Sequence, residues 1–201
     1  MRNNEIESRL LVTNRAIVDA VLSRSPVSAL DIGCGEGWLV RTLAEHGVGA
    51  IGVDVVPELV EQARKSGGEF RIASYEAIAA GELDVTVDVA VANFSLIGKE
   101  SVENLIRRVP SLLSERGALV IQTIHPRVAG GDLPYEDGWR SGSWAGFNDD
   151  FTDPAPWYFR TLESWLRLLE ESGLRVIEMR EPLHPTSAQP ASVIFIAERS
   201  G

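Results

Sequence analysis

Three features of the 201-residue sequence predict a doubly wound α/β domain. Short apolar runs alternate with stretches of helical periodicity, a cluster of glycines follows the first run, and an aspartate closes the second. Runs that are apolar nearly throughout suit strands buried on both faces, hence a parallel sheet with helices on either side. Right-handed crossovers make such a sheet doubly wound, with ligands beyond the carboxyl ends of its strands.

Ile6, Leu10, Ile17 and Val21 recur at helical spacing and predict a helix over 4–23, stopped by Pro26. Residues 27–32 read as the first strand, and after the glycines Trp38, Leu39 and Leu43 open a helix that ends near Gly47. Residues 50–53 form the second strand, closing on Asp54. Pro57 suits a first helical position, and Gly67-Gly68 ends that helix. Further strands follow at 70–73, 87–92 and 118–124, with Val102, Leu105, Ile106 and Val109 marking a helix face between the last two. Thr161 caps a helix striped by Leu162, Trp165, Leu166 and Leu169 and stopped by Gly173. Strands over 174–179 and 192–197 close the chain. One domain is expected over 1–201, with 125–160 an insertion rich in Gly, Pro, Asp and aromatic residues. So long a loop within a compact domain is usually functional or disordered.

An apolar fraction of 44% and a charged fraction of 24% are globular values. The net charge of −10 argues against a phosphate-backbone binder, so no nucleic-acid partner is expected. Cys34 is the only cysteine, which excludes an intramolecular disulfide and a cysteine zinc site; no metal is expected. Met1-Arg2-Asn3-Asn4-Glu5 shows no apolar signal core and no run reaches membrane-spanning length, so the expectation is a cytoplasmic protein without membrane association.

The strongest motif is Leu30-Asp31-Ile32-Gly33-Cys34-Gly35-Glu36-Gly37. Glycines after a first strand allow a tight turn and a close approach of backbone amides to a ligand. A dinucleotide fingerprint requires glycine where Trp38 stands, and here the third glycine, Gly37, comes one residue early. Asp31 and Glu36 would also repel a pyrophosphate. A sulfonium nucleoside tolerates nearby acids, so the spacing favours S-adenosylmethionine. Asp54 ends the second strand about 20 residues on, where a carboxylate accepts from ribose hydroxyls.

The run 30–37, Val53-Asp54, the strand ending Ala92-Asn93-Phe94-Ser95 and the strand over 117–124 resemble the class I S-adenosylmethionine-dependent methyltransferase family. The resemblance is strong over about 27–125 and looser beyond. It implies a Rossmann-like seven-stranded, mostly parallel sheet with helices on both faces, its last strand antiparallel and inserted beside the fifth. By position it implies that Asp31 and the turn Gly33, Cys34, Gly35 and Gly37 hold the methionine moiety. Asp54 would hold the ribose, Val55 would stack on the adenine, and Ser74, Tyr75 and Glu76 would border it. Asn93, Phe94 and Ser95 would line the methyl-donor side. Members often carry Asp where Ser74 stands. S-adenosylhomocysteine would be the product.

His125 follows the fifth strand and His184 the sixth, at the presumed pocket edge; each is a candidate general base or a loop-fixing residue. The insertion crowds Tyr135, Trp139, Trp144, Phe147, Phe151, Trp157, Tyr158 and Phe159 beside several acids. It reads as a lid over an apolar acceptor, an aromatic cage for a cation, a homodimer contact or a self-packed loop. Trp144, Trp157 and Tyr158 are the candidate substrate contacts. Arg140 and Arg160 bracket the insertion, for an acidic acceptor or for neighbouring carboxylates; Arg9 or Arg15 is a candidate for the cofactor carboxylate. The expected function is methyl transfer to an oxygen or nitrogen of a small molecule. The alternatives are a nicotinamide-dependent oxidoreductase, against which Trp38 counts, and a non-catalytic S-adenosylmethionine-binding protein.

Overall fold

The structure is a computed structural model describing residues 2–129, 131, 133–141 and 156–200, with side chains from residue 12 onward. The elements run α1 (Arg2–Leu22), β1 (Ser28–Ile32), α2 (Trp38–Glu45), β2 (Gly49–Asp54), α3 (Pro57–Lys65), β3 (Glu69–Ile72), α4 (Tyr75–Ala80), β4 (Val87–Asn93) and α5 (Glu100–Arg108). A 3₁₀ turn at Val109–Leu112 leads into β5 (Leu113–Thr123). Then come α6 (Pro126–Ala129), β6 (Gly138–Arg140), β7 (Trp157–Phe159), α7 (Leu162–Glu171), β8 (Leu174–Arg180) and β9 (Val193–Arg199).

Seven strands form one sheet in the order β3-β2-β1-β4-β5-β9-β8. The first five pair in parallel, and β9 runs antiparallel to both β5 and β8. The strand order reverses at β1, between β2 and β4, which opens the ligand crevice beyond their carboxyl ends. This is the architecture expected from the sequence.

Side-chain alternation sorts the sheet into two packed faces. Leu30, Ile32, Ala90, Ala92, Leu119, Ile121, Val193 and Phe195 pack with Val102, Leu105 and Ile106 of α5 and Trp165 and Leu169 of α7. Ala29, Val89, Val91, Val120, Ile194 and Ile196 point the other way, onto Ile17, Ala20 and Val21 of α1 and Leu39 and Leu43 of α2. Asp31, Asn93, Gln122 and Ser192 share the parity of this second set, at the carboxyl edge or beside it. The apolar rows thus end in a polar row on the α1 face.

Four elements, and the start of a fifth, escape the periodicity of the sequence. Helix α4 is only six residues long, capped by the Ser74 side chain accepting from the Ala77 amide and closed by Gly81. Strand β5 begins at Leu113, before the apolar run that marks it, and α6 is a single turn. Strands β6 and β7 pair as a separate antiparallel ribbon within the insertion. Among the described residues no helix is long and apolar enough to cross a membrane.

Phe70 of β3 packs where Gly37, Gly52 and Gly68 leave room for it. A Cβ at Gly52 would fall 2.6 Å from the Phe70 ring and 2.8 Å from Cys34 Sγ. Gly52→Ala is therefore expected to destabilise the fold by about 1–3 kcal/mol, read as a lowered urea midpoint with an unchanged slope.

Candidate functional site

The glycine turn is held from beneath by the end of β2. The amides of Gly33 and Cys34 both donate to the Val53 carbonyl, at 2.8 and 3.0 Å, and Gly37 closes the turn onto the Cys34 carbonyl at 2.9 Å. Gly33, Gly35 and Gly37 have φ of 78°, 53° and 76°, a region in which side chains are costly. Asp54 completes the fastening: one carboxylate oxygen accepts from the Gly35 amide at 2.8 Å, the other from the Val56 amide at 2.9 Å. Among the described residues an added Cβ at Gly35 meets nothing within 4 Å, so the apex of the turn is open toward them. At Gly33 the same addition would strike Ser95 Cβ at 2.4 Å.

Asp31 lies behind this turn and is 2% exposed. Among the described residues its Oδ1 is buried without a hydrogen-bond partner. Burial, followed by the nearby charge of Asp54, pushes its carboxyl up to about 7. The same burial and the charges of Asp31 and Asp54 push the Cys34 thiol up to about 12, which makes it an inert packing group.

Beyond β4 the backbone turns sharply at Phe94, with φ of 55°. Such a value is uncommon for a residue with a bulky side chain. Its amide still donates to the Gln122 carbonyl at 2.8 Å, and Ser95 Oγ donates to the Ile32 carbonyl at 2.7 Å. The Tyr75 hydroxyl donates to the Ser95 carbonyl at 2.9 Å, and burial pushes it up to about 12. Ser74, Tyr75, Ser95 and the glycine turn therefore gather around one edge. Val55 is 59% exposed there, with Val56 and Ile72 also exposed on neighbouring strand ends. Glu76 is exposed on the outer side of α4 and borders a cavity of about 380 Å³ with Ala79, Ser101, Asn104 and Arg107.

The two candidate bases differ in setting. His125 is fully buried. Its Nδ1 accepts from the Arg127 amide at 3.2 Å, so Nε2 carries the proton and donates to Glu181 at 2.9 Å. Both ring nitrogens are engaged, and the contact ties the root of the insertion to the loop after β8. His184 is half-buried in the β8–β9 loop, where its Nδ1 accepts long bonds of 3.3 Å from the Thr186 and Ser187 amides.

In the insertion, Trp157 and Tyr158 lie on β7, and Trp144 falls outside the described residues, as do Phe147 and Phe151. The Tyr158 amide donates to the Ile97 carbonyl at 2.7 Å, which seats β7 beside the loop leaving β4. Arg160, 4% exposed, lies between the rings of Tyr158 and Trp165 and donates to the Gly98 and Lys99 carbonyls at 2.9 and 3.0 Å. Glu103 faces it at 3.6 Å. Arg140 donates to the Pro134 and Glu136 carbonyls. Arg140 thus braces the insertion internally, whereas Arg160 ties its end to the loop after β4 and to Glu103 of α5. Arg15 is exposed beside Asp19, and the side chain of Arg9 lies outside the described residues.

Sequence reasoning overlooked Gln122. It is 1% exposed, directly paired with Asn93 across β5 and β4, and bonded to α1 and to Ser192. Its signal was present: a carboxamide at the end of the apolar run 118–121.

The family model described as a methyltransferase domain matches residues 7–179. The ubiquinone biosynthesis O-methyltransferase of Xanthomonas oryzae pv. oryzae is 32% identical over 114 residues, covering 54% of this chain and 47% of that protein. The chain therefore spans about half the length of that relative. Two crystal structures share the fold. One is an S-adenosylmethionine dependent methyltransferase from Mesorhizobium loti, 22% identical, with a TM-score of 0.68 over 90% of this chain and 95% of that one. The other is the 1,6-didemethyltoxoflavin-N1-methyltransferase of Burkholderia thailandensis with bound 1,6-didemethyltoxoflavin and S-adenosylhomocysteine. It is 20% identical, with a TM-score of 0.66 over 96% of this chain and 79% of that one.

The buried Asp31 gives the stability of this chain a defined pH dependence. The unfolded chain loses that proton near 3.8 and the folded one keeps it to about 7, so this contribution falls as pH rises through that window. Asp31→Asn removes the charge without changing shape. It is expected to match wild type near pH 4 and to exceed it by about 4 kcal/mol near pH 8, read from urea midpoints. Parallel pH profiles would contradict the assignment.

Proposed function

The chain belongs to the methyltransferase-domain family, and from that premise we propose that, as an S-adenosylmethionine-dependent enzyme, it methylates an oxygen or nitrogen of a small molecule. The observation that carries this reading is the unpaired oxygen of Asp31 behind the open apex of the glycine turn. A buried acceptor without a partner is costly, and an ammonium group is the partner that satisfies both its lone pair and its charge. A pyrophosphate would meet Asp31 and Asp54 with like charge, which disfavours the nicotinamide alternative.

In this reading Asp31 with Gly33, Cys34, Gly35 and Gly37 receives the aminoacyl end of the cofactor. Asp54 keeps a second lone pair on each oxygen for ribose hydroxyls while holding the turn. Val55, Val56 and Ile72 offer the adenine an apolar surface, bordered by Ser74, Tyr75 and Glu76. Because the Ser74 oxygen accepts from Ala77, its hydroxyl offers the base a donor, where a carboxylate would offer an acceptor. Asn93, Phe94 and Ser95 flank the methyl side.

When bound, the cofactor would supply an electrophilic methyl group on a sulfonium, held by Asp31, the glycine turn and Asp54. The chain contributes alignment and exclusion of water. His125 fixes the base of the insertion through Glu181 and Arg127, and His184 is the remaining candidate base. Trp157 and Tyr158, seated against Ile97 by β7, supply an aromatic wall for the acceptor. Exposed Leu133, Tyr135 and Trp139 give the insertion an apolar outer surface, suited to closing on the acceptor or meeting a second copy.

Titration calorimetry with S-adenosylhomocysteine tests the reading. Gly35→Ala places a methyl group where the structure has free space, so it should cost only about 1–2 kcal/mol of stability while weakening affinity more than tenfold. Asp54→Ala should weaken it at least as much. Unchanged affinity in both variants would overturn the assignment.

A further inference from the structure

The insertion carries Arg127, Arg140 and Arg160, and two of these are committed. Arg140 donates to the Pro134 and Glu136 carbonyls, and Arg160 to those of Gly98 and Lys99. Arg127 differs. Its amide donates to His125, but among the described residues its exposed guanidinium has no hydrogen-bond or ion-pair partner. Asp137 is engaged by the Thr161 amide and the Ser164 hydroxyl, and Glu181 by His125. Arg127 lines a cavity of about 370 Å³ together with Pro126, Gly131, Leu133 and Tyr135. Leu133 and Tyr135 are 55% and 50% exposed, so the cavity sets an unanswered positive charge beside uncovered apolar surface. Tyr135 meets Phe159 edge-on at 5.8 Å and Phe159 meets Trp157 at 6.0 Å, which joins the cavity to the Trp157 side of β7. It also lies close to the ligand edge of the sheet. Gln122 pairs with Asn93 at the ends of β5 and β4, and Pro126 follows Gln122 along the chain by at most about 14 Å.

We infer that this cavity anchors the methyl acceptor, and that the acceptor is an apolar ring compound bearing a carboxylate that Arg127 grips. This rests on the function proposed above. A guanidinium fork matches a carboxylate with two parallel hydrogen bonds, while Leu133 and Tyr135 cover the ring. A carboxylate held in that fork has its lone pairs engaged, so the methyl group goes to another atom of the same molecule. A chain of net charge −10 repels anions at long range, so an acidic acceptor has to be recognised by a local cation, which Arg127 supplies. One guanidinium balances one unit of charge, which suits a carboxylate better than a phosphate dianion. The cavity is at the small end of ligand pockets, which span about 300–1,000 Å³, and suits one or two rings. The cofactor's own carboxylate is a second claimant for Arg127. The lining argues against it: all its residues belong to the insertion, and none to the glycine turn, the end of β2 or the segment 93–95. The aromatic cage for a cation is disfavoured here, because a cationic acceptor would meet Arg127 with like charge.

The test uses fluorinated probes on the protein saturated with S-adenosylhomocysteine. Pentafluorobenzoate, an anion at neutral pH, is titrated by ¹⁹F NMR against its neutral counterpart pentafluorobenzamide. Wild type is expected to bind the benzoate at least about fivefold more tightly than the benzamide. Arg127→Gln should abolish that preference and leave the benzamide unchanged, whereas Leu133→Ser should weaken both probes. Both side chains are exposed, so each variant should fold and bind S-adenosylhomocysteine as wild type does. Equal affinity of wild type for the two probes, no benzoate binding, or an undiminished preference in Arg127→Gln would each overturn the inference. Mutual exclusion of benzoate and S-adenosylhomocysteine would overturn it too, since an acceptor has to bind beside the cofactor. Weakened S-adenosylhomocysteine binding in Arg127→Gln would assign that guanidinium to the cofactor carboxylate, with the same consequence. If wild type binds no S-adenosylhomocysteine, the cofactor reading fails and this inference with it. If wild type binds it and the benzoate result is negative, only the inference fails.

Discussion

Two carboxylates held beneath one glycine turn constrain everything around them. Asp31 is enclosed with an unanswered oxygen, and Asp54, whose charge raises its proton affinity, is itself spent on holding the turn. A core built for stability alone would place an amide or an apolar residue at position 31. Retaining the acid there requires that the surroundings over-determine its position. They do so through the paired bonds to the Val53 carbonyl, the Phe70 ring packed against three glycines, and the parallel strands on both sides. Strain of this kind persists where function requires it.

The two faces of the sheet divide the work. On the α5 and α7 face the strand rows are apolar, and the residues serve packing. On the α1 face the rows begin apolar and finish in Asp31, Asn93, Gln122 and Ser192. Helix α1 covers that finish and contributes a carbonyl to it. The first helix therefore has a structural link to the site as well as a share of the core. The insertion is tied in at separate points, through His125 to Glu181, through the Tyr158 amide to Ile97, and through Arg160 to Gly98 and Lys99.

The β-α rhythm was legible because each central strand is apolar on both faces and the longer helices each carry a single stripe. Glycine spacing and the position of Asp54 were equally legible, since left-handed turns and strand-end acids leave marks in a single sequence. Other features depend on partners far along the chain. Nothing around His125 announces that Glu181, 56 residues on, occupies its outer nitrogen. The ribbon of β6 and β7 joins three-residue strands across a long gap, too short and too distant for any periodicity. Helix α4, at six residues, shows no full stripe. Gln122 was visible as a polar residue ending an apolar run, but its meaning required the Thr13 carbonyl that fixes its orientation.

Linked proton release tests most directly whether a cation meets Asp31. S-adenosylhomocysteine binding is to be measured near neutral pH by calorimetry in buffers of different ionisation enthalpy, for wild type and Asp31→Asn. An ammonium group arriving at a carboxyl that is part-protonated near 7 should expel that proton, so wild type releases a substantial fraction of one proton per site and Asp31→Asn releases none. Tight binding with no release, or the same release from both proteins, would contradict the account.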